Sequence, residues 1–269
     1  MRKNKTLNRL YMAIIYLFLY APIIVLIVFS FNDSKSRNVW SGFTLKWYIQ
    51  LFSNRLILTS LLNTLMLALI SSIIATIIGT MAAIGISAMK RKQRNFVLNL
   101  TYLPIISPEI VTGISLMLTY VMFGFGFGFG TLILSHITFN VPYVLLNVMP
   151  KLRQMDKHLY EAAQDLGCNN FEAFTKVVIP EIMPGIISGF LMALTYSIDD
   201  FVISYFTSGP ESQTLPITIY SMTRKKISPE INALSTIIFL IVLSILIYVN
   251  IKDSKAAKKL TKANQKALK

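Results

Sequence analysis

The stretch Leu159–Pro180, LYEAAQDLGCNNFEAFTKVVIP, decides how this chain is read. It carries Glu161, Asp165 and Glu172, two asparagines, a lysine and a glycine where a helix would otherwise continue, and it lies between runs apolar enough to live in lipid. Local rules give it a shape. Asp156 is placed to cap a first helix. Leu159, Ala162, Ala163 and Leu166 then share one helical face, and Glu161 and Asp165 another. Gly167 suits the left-handed residue that ends a helix. Asn169, with Glu172 three residues on, forms a capping box for a second helix. Phe171, Phe174, Val177 and Val178 supply that helix with an apolar face, and Pro180 is expected to end it. A short helix pair with an apolar face needs a cover, either a docked partner or the chain's own membrane domain.

The surroundings are those of a polytopic membrane protein. Of 269 residues 54% are apolar and only 14% charged, against about 25% charged in a soluble domain. The net charge of +14 does not indicate a nucleic-acid binder, because the basic residues sit in short clusters between apolar runs, where they report topology. Cys168 stands alone, which excludes an intrachain disulfide and a thiolate metal cluster. His136 and His158 have no ligand spacing around them, and no nucleophile–base constellation is present. The run GFGFGFG, Gly124–Gly130, lacks the preceding strand and following Lys-Ser/Thr of a phosphate loop and reads as a flexible outer turn.

Six segments can cross a bilayer, each with roughly 20 mainly apolar residues: Leu10–Phe31, Leu56–Met89, Phe96–Phe123, Thr131–Met149, Pro184–Phe206 and Ala233–Ile251. The first reads as a retained anchor, its apolar run being too long for a signal peptide. The N-terminus, the Lys90–Arg94 loop, the Lys151–Lys176 stretch and the C-terminal tail together hold 19 of the 26 Lys and Arg residues, which places both ends inside. The expected organisation is a cytoplasmic N-terminus (1–9), a permease domain (10–251) whose inner loop spans 156–180, and a basic cytoplasmic tail (252–269). Trp40, Trp47 and Tyr48 in the first outer loop are expected to anchor at the headgroups, with contact to a solute-binding protein as the alternative. Arg224–Lys226 with Ser228, Pro229 and Glu230 forms the other polar outer loop, a surface on which a solute-binding protein could dock.

Glu161-Ala162-Ala163, three residues, Gly167, nine residues, Val177-x-Ile179-Pro180 resembles the EAA loop of ABC importer permeases, E-A-A-x3-G-x9-I-x-L-P. Val177 and Ile179 stand where the family has Ile and Leu, and keep its apolar character. Further stretches, GFTLKWYIQLF (Gly42–Phe52), LPIISPEIVTGISL (Leu103–Leu116), and SIDDFVISYFTSGP (Ser197–Pro210) followed by LPITIYSMTRKKISPEINALSTI (Leu215–Ile237), are similar to the second permease subunit of spermidine/putrescine importers. The resemblance implies an all-α, six-helix type I importer fold in the bacterial inner membrane. It also implies a related second permease, an extracytoplasmic solute-binding protein and a cytoplasmic ATPase dimer. On that likeness Glu161, Ala162, Ala163, Gly167, Phe171, Phe174, Val177, Ile179 and Pro180 couple to the ATPase. The ATPase uses ATP and Mg, and this chain binds no cofactor and catalyses nothing itself. The rival class is a membrane scaffold or receptor that does not transport.

Acids within spans are costly and usually face a protein interior or a water path. Here they are Glu109, between Pro104, Pro108 and Gly113 where a broken helix is expected, and Asp199 and Asp200. On one continuous helix the last two point about 100° apart, and Asp200 is favoured as the one facing the path. Tyr196, Tyr205 and Phe206 offer ring faces for a cation. Spaced carboxylates suit a polyamine that must enter without being trapped. The absence of Lys or Arg from span centres counts against sulfate or phosphate. Ferric iron, thiamine and a neutral sugar remain open, and so does the reading in which these acids only hold helix packing.

Overall fold

The computed structural model describes residues 5–34, 39–156, 158–225, 229–244 and 247. Helices α1 (Lys5–Ser30), α2 (Lys46–Ser53), α3 (Arg55–Ser87), α4 (Arg91–Ile106), α5 (Glu109–Met122) and α6 (Phe129–Gln154) are followed by α7 (His158–Asp165) and α8 (Asn170–Ala173). A π turn, Phe174–Val178, leads into α9 (Ile179–Asp199), then come α10 (Val202–Thr207), α11 (Leu215–Lys225) and α12 (Pro229–Ser244). Among the described residues the only β-pairing is a single bridge, Asn32 with Phe43.

Among the described residues four helices are long and apolar enough to cross a membrane, and the bent pair α4–α5 makes a fifth crossing if its halves form one span. The third expected span is thus broken, as Pro104–Gly113 suggested, though at Ser107–Pro108 and by 104°. Pro104 itself stays inside α4. The fifth expected span, Pro184–Phe206, is not one helix, because α9 stops at Asp199 and α10 starts at Val202. Of the sixth, Ala233–Ile251, the structure describes α12 to Ser244 and Ile247. The remainder, the tail 252–269, residues 1–4, Lys157, Lys226 and Ser228 lie outside the described residues.

The chain divides into two compact units, residues 1–55 with 222–269, and residues 56–221. In the first unit α1 is apolar all round, with Phe18 81% exposed, as befits a helix solvated by lipid or by another membrane helix. Asn32 organises the loop after it: its Nδ2 donates to Val39 O (2.8 Å), its Oδ1 accepts from Ser41 N (2.9 Å), and its carbonyl accepts from Trp47 Nε1 (2.7 Å). Trp47 is therefore buried, and Tyr48 bonds Ser30 Oγ at 2.7 Å. The burial of Trp47 runs against its expected place as a headgroup anchor, while Tyr48 is half-buried and Trp40 exposed.

In the second unit small and hydroxyl side chains let helices approach. Val144 of α6 is held between two glycines: a Cβ on Gly79 of α3 would come within 2.7 Å of Val144 Cβ, and one on Gly189 of α9 within 3.1 Å of its Cα. Around it Ala75, Ala83, Val148, Ile182 and Ala193 form the apolar core. Hydroxyls tie the same helices, with Ser71 Oγ 3.2 Å from Ser197 Oγ, which also accepts from Asn140 Nδ2 at 2.7 Å. Ser60 meets Thr218 at 2.6 Å, and Leu215 N donates to Thr64 Oγ1 at 2.7 Å. Gly79→Val is expected to cost about 1–3 kcal/mol by overpacking against Val144, seen as a lower thermal unfolding midpoint in detergent. Gly85→Ala, whose Cβ meets nothing within 4 Å, should not lower it.

Candidate functional site

The two helix interruptions of the second unit meet at one cavity of about 270 Å³. Pro104, Glu109 and Thr112 enter it from the α4–α5 break, Phe139 and Tyr143 from α6, and Tyr196 and Asp199 from the end of α9. Proline explains the first interruption: Pro108 caps α5, where its missing N–H is not needed, and sets the preceding Ser107 to extended backbone (ψ 142°). Glu109 then opens α5, where a helix dipole favours an acid. Glu109 and Asp199 are exposed, so both carboxylates are accessible from the cavity. The Tyr143 and Tyr196 rings pack 4.3 Å apart at 31° on its wall.

Asp200 behaves otherwise. It follows the last residue of α9 with extended backbone (φ −61°, ψ 123°). Its Oδ1 accepts from Ile203 N at 3.2 Å and its Oδ2 from Ser204 N at 2.7 Å, which caps α10. The side chain is only 7% exposed, and His136 Nε2 lies 3.5 Å from Oδ2. Asp200 forms part of the wall with its oxygens engaged in the fold, so the sequence preference for Asp200 over Asp199 is reversed. The reason is that the two residues are not on one helix. Tyr205 is likewise displaced: its ring packs on Phe201 (5.5 Å) and Phe206 (5.6 Å) and does not line the cavity. Tyr143, Phe139, Thr112 and His136 escaped sequence reasoning. The available signal was the stripe His136, Phe139, Asn140, Tyr143, Asn147 at three- and four-residue spacing in an otherwise apolar span.

The Leu159–Pro180 segment adopts most of its expected form. Asp156 Oδ1 accepts from His158 N at 3.0 Å. Gly167 has φ +92°, and Cys168 N closes the turn on Ala163 O at 3.0 Å. The capping box is reciprocal, with Glu172 N to Asn169 Oδ1 at 2.8 Å and Asn169 N to Glu172 Oε2 at 3.2 Å. Lys176 Nζ holds the other Glu172 oxygen at 2.9 Å.

Pro180 does not end the second helix. The chain widens into the π turn and continues as α9 with Pro180 in its first turn. A wider turn accommodates a residue that has no N–H to donate and crowds the carbonyl four back. The apolar residues also split between two faces. Ala163, Ala173 and Val178 are buried, and Phe174 and Ile179 pack on the same core. Leu159, Leu166 (87% exposed) and Phe171 (73%) point away from it, as do Glu161 and Ala162. Val177 is half-buried and Pro180 exposed.

Residues 75–252 match the family of binding-protein-dependent transport system inner membrane components. The chain belongs to this family. As an inner membrane component it is similar to the spermidine/putrescine transport system permease protein PotC of Escherichia coli strain K12, 39% identical over 89% of this chain and 90% of that protein. The Haemophilus influenzae PotC is 33% identical over 90% and 94%. The putrescine transport system permease protein PotI of Escherichia coli K12 is 38% identical over 83% and 82%. Among solved structures, a chain of a bacterial ABC transporter that imports the acidic polysaccharide alginate superposes with a TM-score of 0.72 at 16% identity, covering 94% of this chain and 98% of that one. The inner membrane component therefore has the all-α fold of ABC importer permeases.

In this permease fold Gly167→Ala places a side chain in left-handed backbone, at a cost of about 1–2 kcal/mol. Amide exchange across Leu159–Pro180 should accelerate by roughly 5- to 30-fold, measured by mass spectrometry on the purified protein.

Proposed function

We propose that the chain is a polyamine-passing permease subunit, working with a second related permease, a solute-binding protein outside and a cytoplasmic ATPase inside. The observation that carries the reading is the cavity, where Glu109 and Asp199 stand beside stacked Tyr143 and Tyr196. Carboxylates attract ammonium groups, and tyrosine faces attract cations and cover methylenes. The C-terminal ends of α4 and α9 and the N-terminal ends of α5 and α10 all reach this cavity, so the helix dipoles offset one another and the carboxylates carry the attraction. Two acids spaced along a path suit an amine that must also leave it. Similarity to permeases named for spermidine and putrescine supports the same solute class.

Coupling follows from continuity. The exposed Leu159, Leu166 and Phe171 with Glu161 and Ala162 form a cytoplasmic face for the ATPase. The segment that bears them runs through the π turn into α9, whose far end carries Asp199. Twenty-one residues of helix span roughly 30 Å, so displacement of the helix pair reaches the cavity through one rod. The ATPase binds ATP and Mg and supplies the work. Family membership favours this reading over a scaffold or receptor that does not transport.

The test is uptake of labelled putrescine, spermidine, thiamine and ferric iron by cells with and without the gene. Polyamine uptake should be lost without it and return with it. Loss of thiamine or iron uptake instead would keep the permease and replace the solute. Asp199→Asn and Glu109→Gln should each raise the KM for uptake about 10- to 100-fold, as for a charged hydrogen bond removed, with normal assembly. Gly167→Pro should leave the protein in the membrane while ATP hydrolysis no longer drives uptake. Coupled uptake at the wild-type rate by that variant would overturn the lever.

A further inference from the structure

His136 is fully buried on α6, yet it is not among the residues lining the cavity. A polar ring in a membrane span is costly unless it is used. Its Nε2 lies 3.0 Å from Ser204 Oγ and 3.5 Å from Asp200 Oδ2, while Nδ1 meets no partner among the described residues. The polar contacts of the ring are thus directed at α10 and at the break in front of it. Phe139, one turn along α6, packs against the ring at 5.0 Å and fixes its plane.

This contact has a geometric consequence. Asp199 is the last residue of α9 and Asp200 leaves the helix in extended backbone, so the two side chains are not fixed by a common helix. Both residues line the cavity, but with the Asp200 carboxylate drawn toward α6 and closed on the N–H groups of Ile203 and Ser204, Asp199 is the exposed one of the two. The far side of α10 is fixed as well: a Cβ on Gly113 of α5 would meet the Phe206 ring at 2.9 Å. The break therefore has little room to rotate while the His136 contact holds.

We propose that His136 is a positioning residue of the transport cavity, holding Asp200 as a buried cap so that Asp199 is the carboxylate offered to the solute. This rests on the reading that the cavity takes the solute, and extends it from the acids that line the path to the residue that selects between them. Without His136, Asp200 is free to leave its cap, the α9–α10 break relaxes, and Asp199 loses its fixed direction.

Two measurements on the transporter assembled in membranes test it. The first uses a Cys168→Ser background and follows the reaction of the Asp199→Cys variant with a cationic methanethiosulfonate. His136→Leu should slow this reaction about fivefold, and His136→Gln, which keeps a donor near the position of Nε2, should not. The second is putrescine uptake with Asp199 present. His136→Leu should raise KM about tenfold, the effect of one misplaced polar contact, with the amount of transporter unchanged, and His136→Gln should restore it. Wild-type labelling and KM in His136→Leu would overturn the proposal. So would equal loss of transporter from the membrane in both variants, which marks a packing role alone. Absence of polyamine uptake by the wild type would overturn the solute reading only, because the labelling needs no polyamine.

Discussion

An unpaired backbone N–H or C=O in hydrocarbon costs several kcal/mol, and this constraint governs where the helices can break. Within the second unit the chain departs from regular helix inside two expected spans, at Ser107–Pro108 and at Asp200–Phe201. Each departure comes with a local remedy. Pro108 opens α5 where no N–H is required, and the Asp200 carboxylate accepts two N–H groups of α10. Both breaks border the same cavity, the setting in which irregular backbone is tolerated at membrane depth. The cost of interrupting two helices thus coincides with the place where free polar groups are useful.

The same economy sets the division of labour between neighbouring acids. Asp199 and Asp200 are adjacent and chemically alike, but one is spent on the backbone and the other remains available. Two like charges side by side are unfavourable at low dielectric, and engaging one with N–H donors and His136 lets both exist. At the opposite end of α9, the Glu172–Asn169 box and the Lys176 ion pair order the helix pair that leads into the π turn. One helix therefore joins this structured helix pair to the acidic cavity.

Much of the Leu159–Pro180 segment was legible in the sequence because its determinants are local. Asp156, Gly167 and the Asn169–Glu172 box act on groups within a few residues of themselves. The apolar segments were legible for a similar reason, since length and hydropathy need no partner, but these two measures do not place the breaks inside the third and fifth. Pro180 was misread as a stop because a widened turn is not encoded by any single residue type. Trp47 is buried and not presented to headgroups because its partner, the Asn32 carbonyl, comes from an earlier segment. Helical spacing puts Phe171, Phe174 and Val178 on one face, whereas Phe174 and Val178 turn inward and Phe171 outward.

By itself, the sequence determined that this chain lives in a membrane, which segments are apolar enough for it, and that a capped helix pair precedes the last of them. Hydrophobic periodicity, capping and charge distribution are properties of short windows. Tertiary structure decided which carboxylate is open to the cavity, that Tyr143 joins Tyr196 there while Tyr205 does not, and that an apparently isolated histidine has a partner 64 positions away at Asp200. Those facts depend on a helix ending between two identical residues and on distant helices meeting at that point. Neither the direction of a side chain at a break nor a contact across the bundle is written in local composition.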